Sequence, residues 1–114
     1  MLLIYVDEAQ GSRRSDAEQA QMHREYMAFT QDISSAGKNK GGNALQQIAS
    51  ASTVRVRDGK TMVTDGPFAE TKEQLGGYYL VEAKDLDEAI SIAARIPGGK
   101  HGSIEVRPVM RIPM

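Results

Sequence analysis

The sequence predicts an α+β fold in which two helices cover one face of an antiparallel sheet. Three observations lead to this prediction. Residues 2–6 and 77–83 are apolar runs of strand length, and residues 15–33 and 85–96 carry apolar side chains at helical spacing. Between them, residues 53–64 form two alternating runs around an Asp-Gly pair, which is a strong hairpin signal. The order strand, helix, hairpin, strand, helix, strand is that of a ferredoxin-like split βαβ unit.

The helix boundaries follow from capping signals. Ser15 stands three residues before Glu18, and Asp85 stands three residues before Glu88, which is the spacing of a capping box in both cases. Gly37 is suited to end the first helix. One stripe of this helix is apolar or aromatic, with spacings of four, three and four residues: Met22, Tyr26, Phe29 and Ile33.

The remaining segments are expected to be less regular. Residues 10–14 are predicted to be a polar loop, and the Gly- and Lys-rich residues 38–43 a mobile loop that lacks the ending of a phosphate-binding loop. Residues 44–52 are ambiguous and could form an irregular strand. A loop is predicted at residues 65–76, and a last strand at residues 103–109. In this prediction the hairpin strand at residues 60–64 becomes the second strand of the ferredoxin-like sheet. The hairpin strand at residues 53–57 is then an element added to that fold.

The two apolar strands predict a homodimer. Residues 2–6 and 78–81 offer apolar side chains on both faces, although the helices are expected to cover only one. A second copy related by two-fold symmetry would cover the other face. The alternative is a monomer whose loop at residues 65–76 folds over the sheet.

Length and composition exclude several classes of function. The chain has 114 residues, which favours a single domain over residues 1–114, and its net charge of −1 gives no reason to expect nucleic acid or a membrane as partner. It contains no cysteine, which excludes disulfides and thiolate chemistry. The N-terminal residues resemble neither a signal peptide nor a membrane span, so a cytoplasmic location is expected. No cofactor is implied, and the two histidines are not at metal-ligand spacing.

Asp65 and His101 are the candidate catalytic residues. Asp65 could act as an acid, a base or a ligand anchor at the rim of a dimer cleft. Its alternative role is structural, because Asp before Gly-Pro can bond the following backbone N–H groups. His101 could shuttle protons, since imidazole titrates near neutral pH. A lone histidine in a loop is also a common surface residue, and that alternative stays open.

Five further residues are candidates for ligand binding. Arg55 and Arg107 alternate with apolar residues on two strands, and there they could clamp a carboxylate or phosphate or form salt bridges instead. Glu70 and Lys72 could order a lid over a ligand, or belong to a solvated loop with weak surface pairs. Tyr78 and Tyr79 are expected to point to opposite faces of their strand, and Tyr78 could line a pocket or the dimer interface.

Four segments carry a family resemblance: TVRVRDGK at residues 53–60, VTDGPFAETKEQLGGYY at 63–79, DLDEA at 85–89 and GSIEVRPV at 102–109. With these segments the chain closely resembles the DGPF-domain, YCII-related family. The resemblance implies a ferredoxin-like dimeric α+β barrel, one such domain over residues 1–114, and a largely uncharacterised function. Proteins closer to YCII itself are thought to use a His–Asp pair. Here Tyr26 and Ile96 occupy those two positions.

The resemblance is compatible with two functions. Distant relatives of the resembled family act on small, often aromatic-derived molecules and include a dehydrochlorinase and muconolactone isomerases. By that resemblance, the chain is a homodimer that binds a small organic anion or aromatic ligand, with acid–base lyase or isomerase chemistry. Many family members are associated with alternative sigma factors of the extracytoplasmic type. The alternative is therefore a non-catalytic regulatory or interaction module linked to such a factor.

Overall fold

The computed structural model describes residues 1–113 and confirms the α+β class, with six strands and three α-helices in that range. The strands are β1 (Leu2–Val6), β2 (Asn39–Ala44), β3 (Ser52–Arg57), β4 (Lys60–Asp65), β5 (Gln74–Val81) and β6 (Ser103–Val106). The helices are α1 (Glu8–Gly11), α2 (Asp16–Ser35) and α3 (Leu86–Ala94). Two short 3-10 turns are formed by Ile48–Ser50 and Pro97–Lys100.

The central sheet has the strand order β2-β5-β1-β6, and all neighbours in it are antiparallel. The four strands of this sheet follow one another in the chain as β1, β2, β5 and β6. Helix α2 connects β1 to β2, and α3 connects β5 to β6. This is the ferredoxin-like order that the sequence predicts. The hairpin β3–β4 is an insertion between the second and third strands and forms a two-stranded sheet of its own.

The core lies between one face of the central sheet and the two long helices. Leu2 and Ile4 from β1 meet buried side chains of both helices and of the following turn: Phe29, Ile33, Ile92, Ala93 and Ile96. The Phe29 ring packs edge-on against Tyr79 of β5, with the ring centroids 5.2 Å apart. Each of the large apolar side chains contributes about 1.5–3 kcal/mol when fully buried. Both helices therefore lie on the same face, as predicted.

The opposite face of the sheet has no helix on it. Strand alternation directs a second apolar set away from the helices, and these side chains are only half-buried: Leu3, Tyr5, Leu75, Tyr78 and Leu80. The smallest dimension of the molecule is 19 Å, which is the thickness of one helix layer on one sheet. Within the described residues, the second face of the sheet is therefore left open.

Local signals in the sequence set the element ends as predicted. Ser15 and Glu18 form a complete capping box at the start of α2. Gly37 has a φ of 72° just after that helix, in the left-handed region that glycine adopts without strain. Asp58 and Gly59 have φ values of 52° and 74°, as a two-residue hairpin turn of type I′ requires.

Two sequence-based expectations about the sheet are wrong. Residues 38–43 are not a mobile loop, because residues 39–44 form the edge strand β2. A Cβ atom on Gly42 would lie 2.6 Å from the Tyr78 carbonyl oxygen, so the close pairing with β5 excludes a side chain there. The glycines that suggest a loop are thus needed by the strand. The hairpin correspondingly does not supply the second strand of the sheet, since β3 and β4 pair with each other in a separate sheet.

Other boundaries differ less. Residues 8–11 form the short helix α1 where a loop was expected to begin, because the Asp7 side chain accepts N–H groups from its first turn. The ambiguous stretch before the hairpin holds the 3-10 turn at Ile48–Ser50, and the last strand ends at Val106. At α3, Asp85 accepts the Glu88 N–H, whereas the Glu88 carboxylate accepts the N–H of the preceding residue, Lys84.

Replacement of Gly102 by alanine tests how tightly β1 is packed against the turn before β6. A Cβ atom there would lie 2.0 Å from the Tyr5 carbonyl oxygen, so the backbone has to move. We expect Gly102→Ala to lower the free energy of unfolding by about 2 kcal/mol or more, measured by urea denaturation.

Gly99→Ala is the matched control, because its Cβ atom would meet the Ile104 side chain at 3.4 Å. This change should alter the free energy of unfolding by less than about 1 kcal/mol. Equal stability of the two variants would contradict the close backbone approach at Gly102.

Candidate functional site

A cleft of about 640 Å³ lies between α2 and the β2–β5 side of the central sheet. Two glycine pairs, Gly41 with Gly42 on β2 and Gly76 with Gly77 on β5, line it where the strands are adjacent. Because these four residues have no side chains, they leave a space between the sheet and α2. Apolar side chains of Ile4, Val6 and Met22 form further parts of the wall.

Three hydroxyl groups line the cleft together with its apolar wall. The Thr30 and Tyr79 hydroxyls are hydrogen-bonded to each other at 2.7 Å, which fixes both side chains. The Tyr26 hydroxyl oxygen accepts the Gly98 N–H at 3.1 Å. Within residues 1–113 the Tyr26 hydroxyl donates to no acceptor, so its proton is available to a molecule in the cleft.

Burial raises the pKa of Tyr26 above its ordinary value of 10.0, and the hydrogen bond from Gly98 offsets part of this effect. The hydroxyl is therefore neutral at physiological pH and acts as a hydrogen-bond donor. The lining of this cleft includes no Asp, Glu, Lys or Arg, and His23 is its one titratable group besides the tyrosines. The cleft thus suits an uncharged molecule with an apolar body and a hydrogen-bond acceptor.

Of the predicted ligand-binding residues, Tyr78 borders this cleft at its position in β5, but strand alternation directs its side chain to the opposite, open face of the sheet. Its hydroxyl accepts a hydrogen bond from the Asn43 side-chain amide at 2.8 Å. Arg55 lies on β3 in the separate hairpin and is exposed. Arg107 follows β6, and its guanidinium group pairs with the Glu105 carboxylate. Arg55 and Arg107 thus belong to different sheets, and neither lines the cleft.

The predicted site residues of the segment VTDGPFAETKEQLGGYY, at positions 63–79, are also outside this cleft. Asp65 is the last residue of β4, while Glu70 and Lys72 lie in the irregular segment before β5, and all three are exposed. His101 lines a second cleft of about 490 Å³ beside the start of α2. The structure therefore does not bring Asp65 and His101 to one site within a single chain.

Sequence reasoning missed the residues that do line the first cleft. Tyr26 packs against the core from the helical stripe of α2, and His23 is exposed to solvent, and each of them also borders the cleft. Thr30 was not singled out at all. The signal that could have found the site is the pair of Gly-Gly dipeptides, at 41–42 and 76–77, because paired glycines on adjacent strands leave an uncovered backbone surface.

Among residues 1–113, no three His, Asp or Glu side chains are grouped closely enough to hold a metal ion. In the same range, none of the helices combines the length and the apolar character needed to cross a membrane.

The chain is similar to known proteins over nearly all of its length. The family described as "YCII-related domain" matches residues 1–113. An uncharacterised protein of Rhizobium meliloti (strain 1021) is 40% identical to the chain over 110 residues, which cover 95% of this chain and 89% of that protein. The name of that relative assigns no activity to it.

Removal of the Tyr26 hydroxyl tests its place in the cleft wall. In Tyr26→Phe the buried Gly98 N–H loses its acceptor, so the free energy of unfolding should fall by about 1–2 kcal/mol at neutral pH. Because the pKa in the folded state exceeds the unfolded value, the unfolded chain loses this proton first as pH rises. Stability should therefore decline above about pH 10 in the wild type, and less in the variant. Urea denaturation at several pH values measures both effects.

Tyr5→Phe is the control, because the Tyr5 hydroxyl donates only a long hydrogen bond of 3.4 Å to Glu105. An ultraviolet titration should also lose a component above the ordinary tyrosine pKa of 10.0 in Tyr26→Phe. If that component stays, the Tyr26 hydroxyl is not the buried group described here.

Proposed function

The chain belongs to the YCII-related family, and we propose that it is a homodimer that binds a small, uncharged organic molecule between α2 and the glycine-rich strands. The observation that carries this proposal is the cleft of about 640 Å³ with apolar walls and an unused hydroxyl proton. Ligand pockets commonly have volumes of about 300–1,000 Å³ and combine an apolar lining with a few fixed polar groups. This cleft has both properties.

The polar groups of the cleft divide the recognition between them. Tyr26 donates its hydroxyl proton to an oxygen or nitrogen of the ligand, while its own oxygen stays on the Gly98 N–H. The Thr30 and Tyr79 hydroxyls are already hydrogen-bonded to each other, so they offer the ligand two polar groups in fixed positions. Glycine backbone on β2 and β5 lets a flat, aromatic-sized body approach the sheet closely. A cofactor is not required for this role.

The same lining favours binding over acid–base turnover. A lyase or isomerase needs a general base, and a carboxylate is not among the residues that line the cleft. Tyr26, with its raised pKa, is a proton donor rather than a base at neutral pH. If proton transfer does occur in this cleft, His23 is the one side chain that could accept the proton, with Tyr26 polarising the substrate.

The dimer is supported by the open face of the central sheet. Five apolar or aromatic side chains on it are half-buried and have no helix above them: Leu3, Tyr5, Leu75, Tyr78 and Leu80. Antiparallel sheets that face water usually carry polar residues on that side. A second copy related by two-fold symmetry presents the same face and would remove both apolar surfaces from water.

A second candidate function is a protein-interaction module, and one observation favours it. The hairpin exposes Val54 and Val63, which lie opposite each other and are 61% and 63% exposed, and Phe68 beyond it is 78% exposed. Such a surface fits docking to another protein. The partner suggested by the family resemblance, an alternative sigma factor, belongs to this second candidate.

A thermal-shift screen with uncharged phenols and small carboxylates tests the proposed binding. Phenols should raise the melting temperature of the wild type more than carboxylates, because the cleft offers a donor and no cation. Ala44→Phe places a ring in the cleft wall and should abolish the shift. Asp65→Ala should keep it, since Asp65 lies outside the cleft.

The matched control is Ala28→Phe, which adds the same ring to an exposed position of α2 outside the cleft. If the ligand-induced rise in melting temperature disappears in Asp65→Ala but remains in Ala44→Phe, the ligand binds near residues 65–68 and not in this cleft. If none of the compounds stabilises the wild type, the interaction module becomes the better candidate.

Light scattering tests the dimer. The wild type should have twice the mass of one chain at micromolar concentration, and Leu80→Glu should be a monomer because it places a charge on the open sheet face. Leu86→Glu introduces the same charge on α3, where Leu86 is 58% exposed, and should leave the mass unchanged. A monomeric wild type would contradict the argument from the open face.

A further inference from the structure

The second cleft, of about 490 Å³, lies where α1, the first turns of α2 and the segment after the Pro97–Lys100 turn meet. It differs from the first cleft in charge. Four basic side chains line it, two from the α1–α2 connection and two from the segment before β6: Arg13, Arg14, Lys100 and His101. Two carboxylates, Glu18 and Glu25, also belong to its wall.

The basic side chains of this cleft form no close ion pair with a carboxylate among residues 1–113. Within residues 1–113, Arg13, Arg14 and Lys100 take part in no ion pair, whereas other basic residues of the chain, such as Lys38 and Arg95, are each paired with a carboxylate. Arg13 uses only its Nε, which donates to the Ala9 carbonyl oxygen at 3.2 Å. Most guanidinium N–H groups at this cleft therefore remain available to a ligand.

The two carboxylates are already engaged within the chain. One oxygen of Glu18 accepts the Ser15 N–H in the capping box. This bond is the main cause that lowers the pKa of Glu18, and Arg14 and His101 contribute at longer range. One oxygen of Glu25 accepts a hydrogen bond from the Gln21 side chain at 3.2 Å. The cleft thus holds more cationic groups than carboxylates, and each carboxylate is held by its own helix.

We propose that this cleft is a binding site for a phosphate group, either as inorganic phosphate or as part of a phosphorylated small molecule. Arg13 and Arg14 come from the α1–α2 connection and Lys100 and His101 from the segment before β6, so two separate parts of the chain supply cationic groups to a multiply charged tetrahedral anion in this cleft. The planar guanidinium group matches phosphate oxygens with two parallel N–H donors. The positive end of the α2 dipole adds to the attraction.

The site is independent of the proposed ligand cleft. Met22 is the one residue that lines both. The two histidines of the chain are divided between them, since His101 lines the phosphate cleft and His23 the uncharged one. Each cleft therefore carries one imidazole reporter of its own, and failure of one proposal can be distinguished from failure of the other.

The test is an NMR titration of the two imidazole signals at constant pH and ionic strength. Inorganic phosphate is added in one arm and phenyl phosphate in the other. Saturable shifts are expected at His101 and not at His23 in both arms, and tighter binding of phenyl phosphate would identify a phosphorylated molecule as the preferred ligand. Absence of a saturable shift at His101 in both arms would overturn the proposal.

Charge variants decide whether the cleft or the overall charge is responsible. Arg14→Gln combined with Lys100→Gln should weaken binding about tenfold or more, because two charge-assisted contacts are lost. The control combines Arg57→Gln with Lys60→Gln, which removes the same charge from the hairpin outside both clefts and should keep the wild-type affinity. An equal loss in both double variants would mean non-specific attraction and would overturn the site.

A third variant is expected to act in the opposite direction. Glu18→Gln removes a negative charge from the cleft, while glutamine at this position still completes a capping box. Phosphate should then bind several-fold more tightly, which a merely structural effect of the substitution would not produce. Unchanged or weaker binding in Glu18→Gln would contradict a phosphate position between Arg14 and His101.

Discussion

The close pairing of β5 with both of its neighbours is the constraint on which the rest of the structure depends. A Cβ atom on Gly77 would lie 2.9 Å from the Asn43 carbonyl oxygen, and one on Gly42 would lie 2.6 Å from that of Tyr78. Gly76 is the extra residue where the β1–β5 register shifts. Glycine is thus required for the backbone to pair at all. The same absence of side chains leaves the space under α2 that becomes the uncharged cleft.

Two positions where the resemblance implies a His–Asp pair in proteins closer to YCII itself carry Tyr26 and Ile96 in this chain. Ile96 is 1% exposed and belongs to the core, while Tyr26 binds the backbone N–H of Gly98 two residues further on. One backbone hydrogen bond therefore links the neighbourhoods of these two positions through the turn at Pro97–Lys100.

The sequence predicted the parts of the fold that depend on local chemistry. The capping box at Ser15, the hairpin turn at Asp58 and the apolar stripe of α2 are set by residues close in the chain. It failed at β2, because an edge strand can be held by backbone pairing alone and needs no apolar pattern. Likewise, alternation in the hairpin predicts that β3 and β4 pair, but it contains no information about which sheet they join.

The candidate site was harder to predict for a related reason. Sequence reasoning selects residues with reactive side chains, and here these cluster around Asp65, Glu70 and Lys72, on an exposed segment. A cavity is produced by missing side chains and by the distance between a helix and a sheet, which only the assembled structure defines. Tyr78 and His101 were selected for their side chains, and each borders one of the two clefts, whereas Tyr26 lies in the helical stripe, packs against the core and was not selected.

The separation of the hairpin from the central sheet has a consequence for the dynamics of the chain. A two-stranded ribbon is only marginally stable by itself in water, whereas the four-stranded sheet shares its core with two helices. The hairpin is closed at its base by the hydrogen bond from Gly66 N–H to Ala51 and by the Thr53 hydroxyl. Its amide hydrogens therefore exchange with solvent through local opening, at a much lower free energy than those of β1 and β5. The run Asp65-Gly66-Pro67-Phe68, which begins at the last residue of β4, thus lies beside a part of the chain that we expect to open more readily than the central sheet.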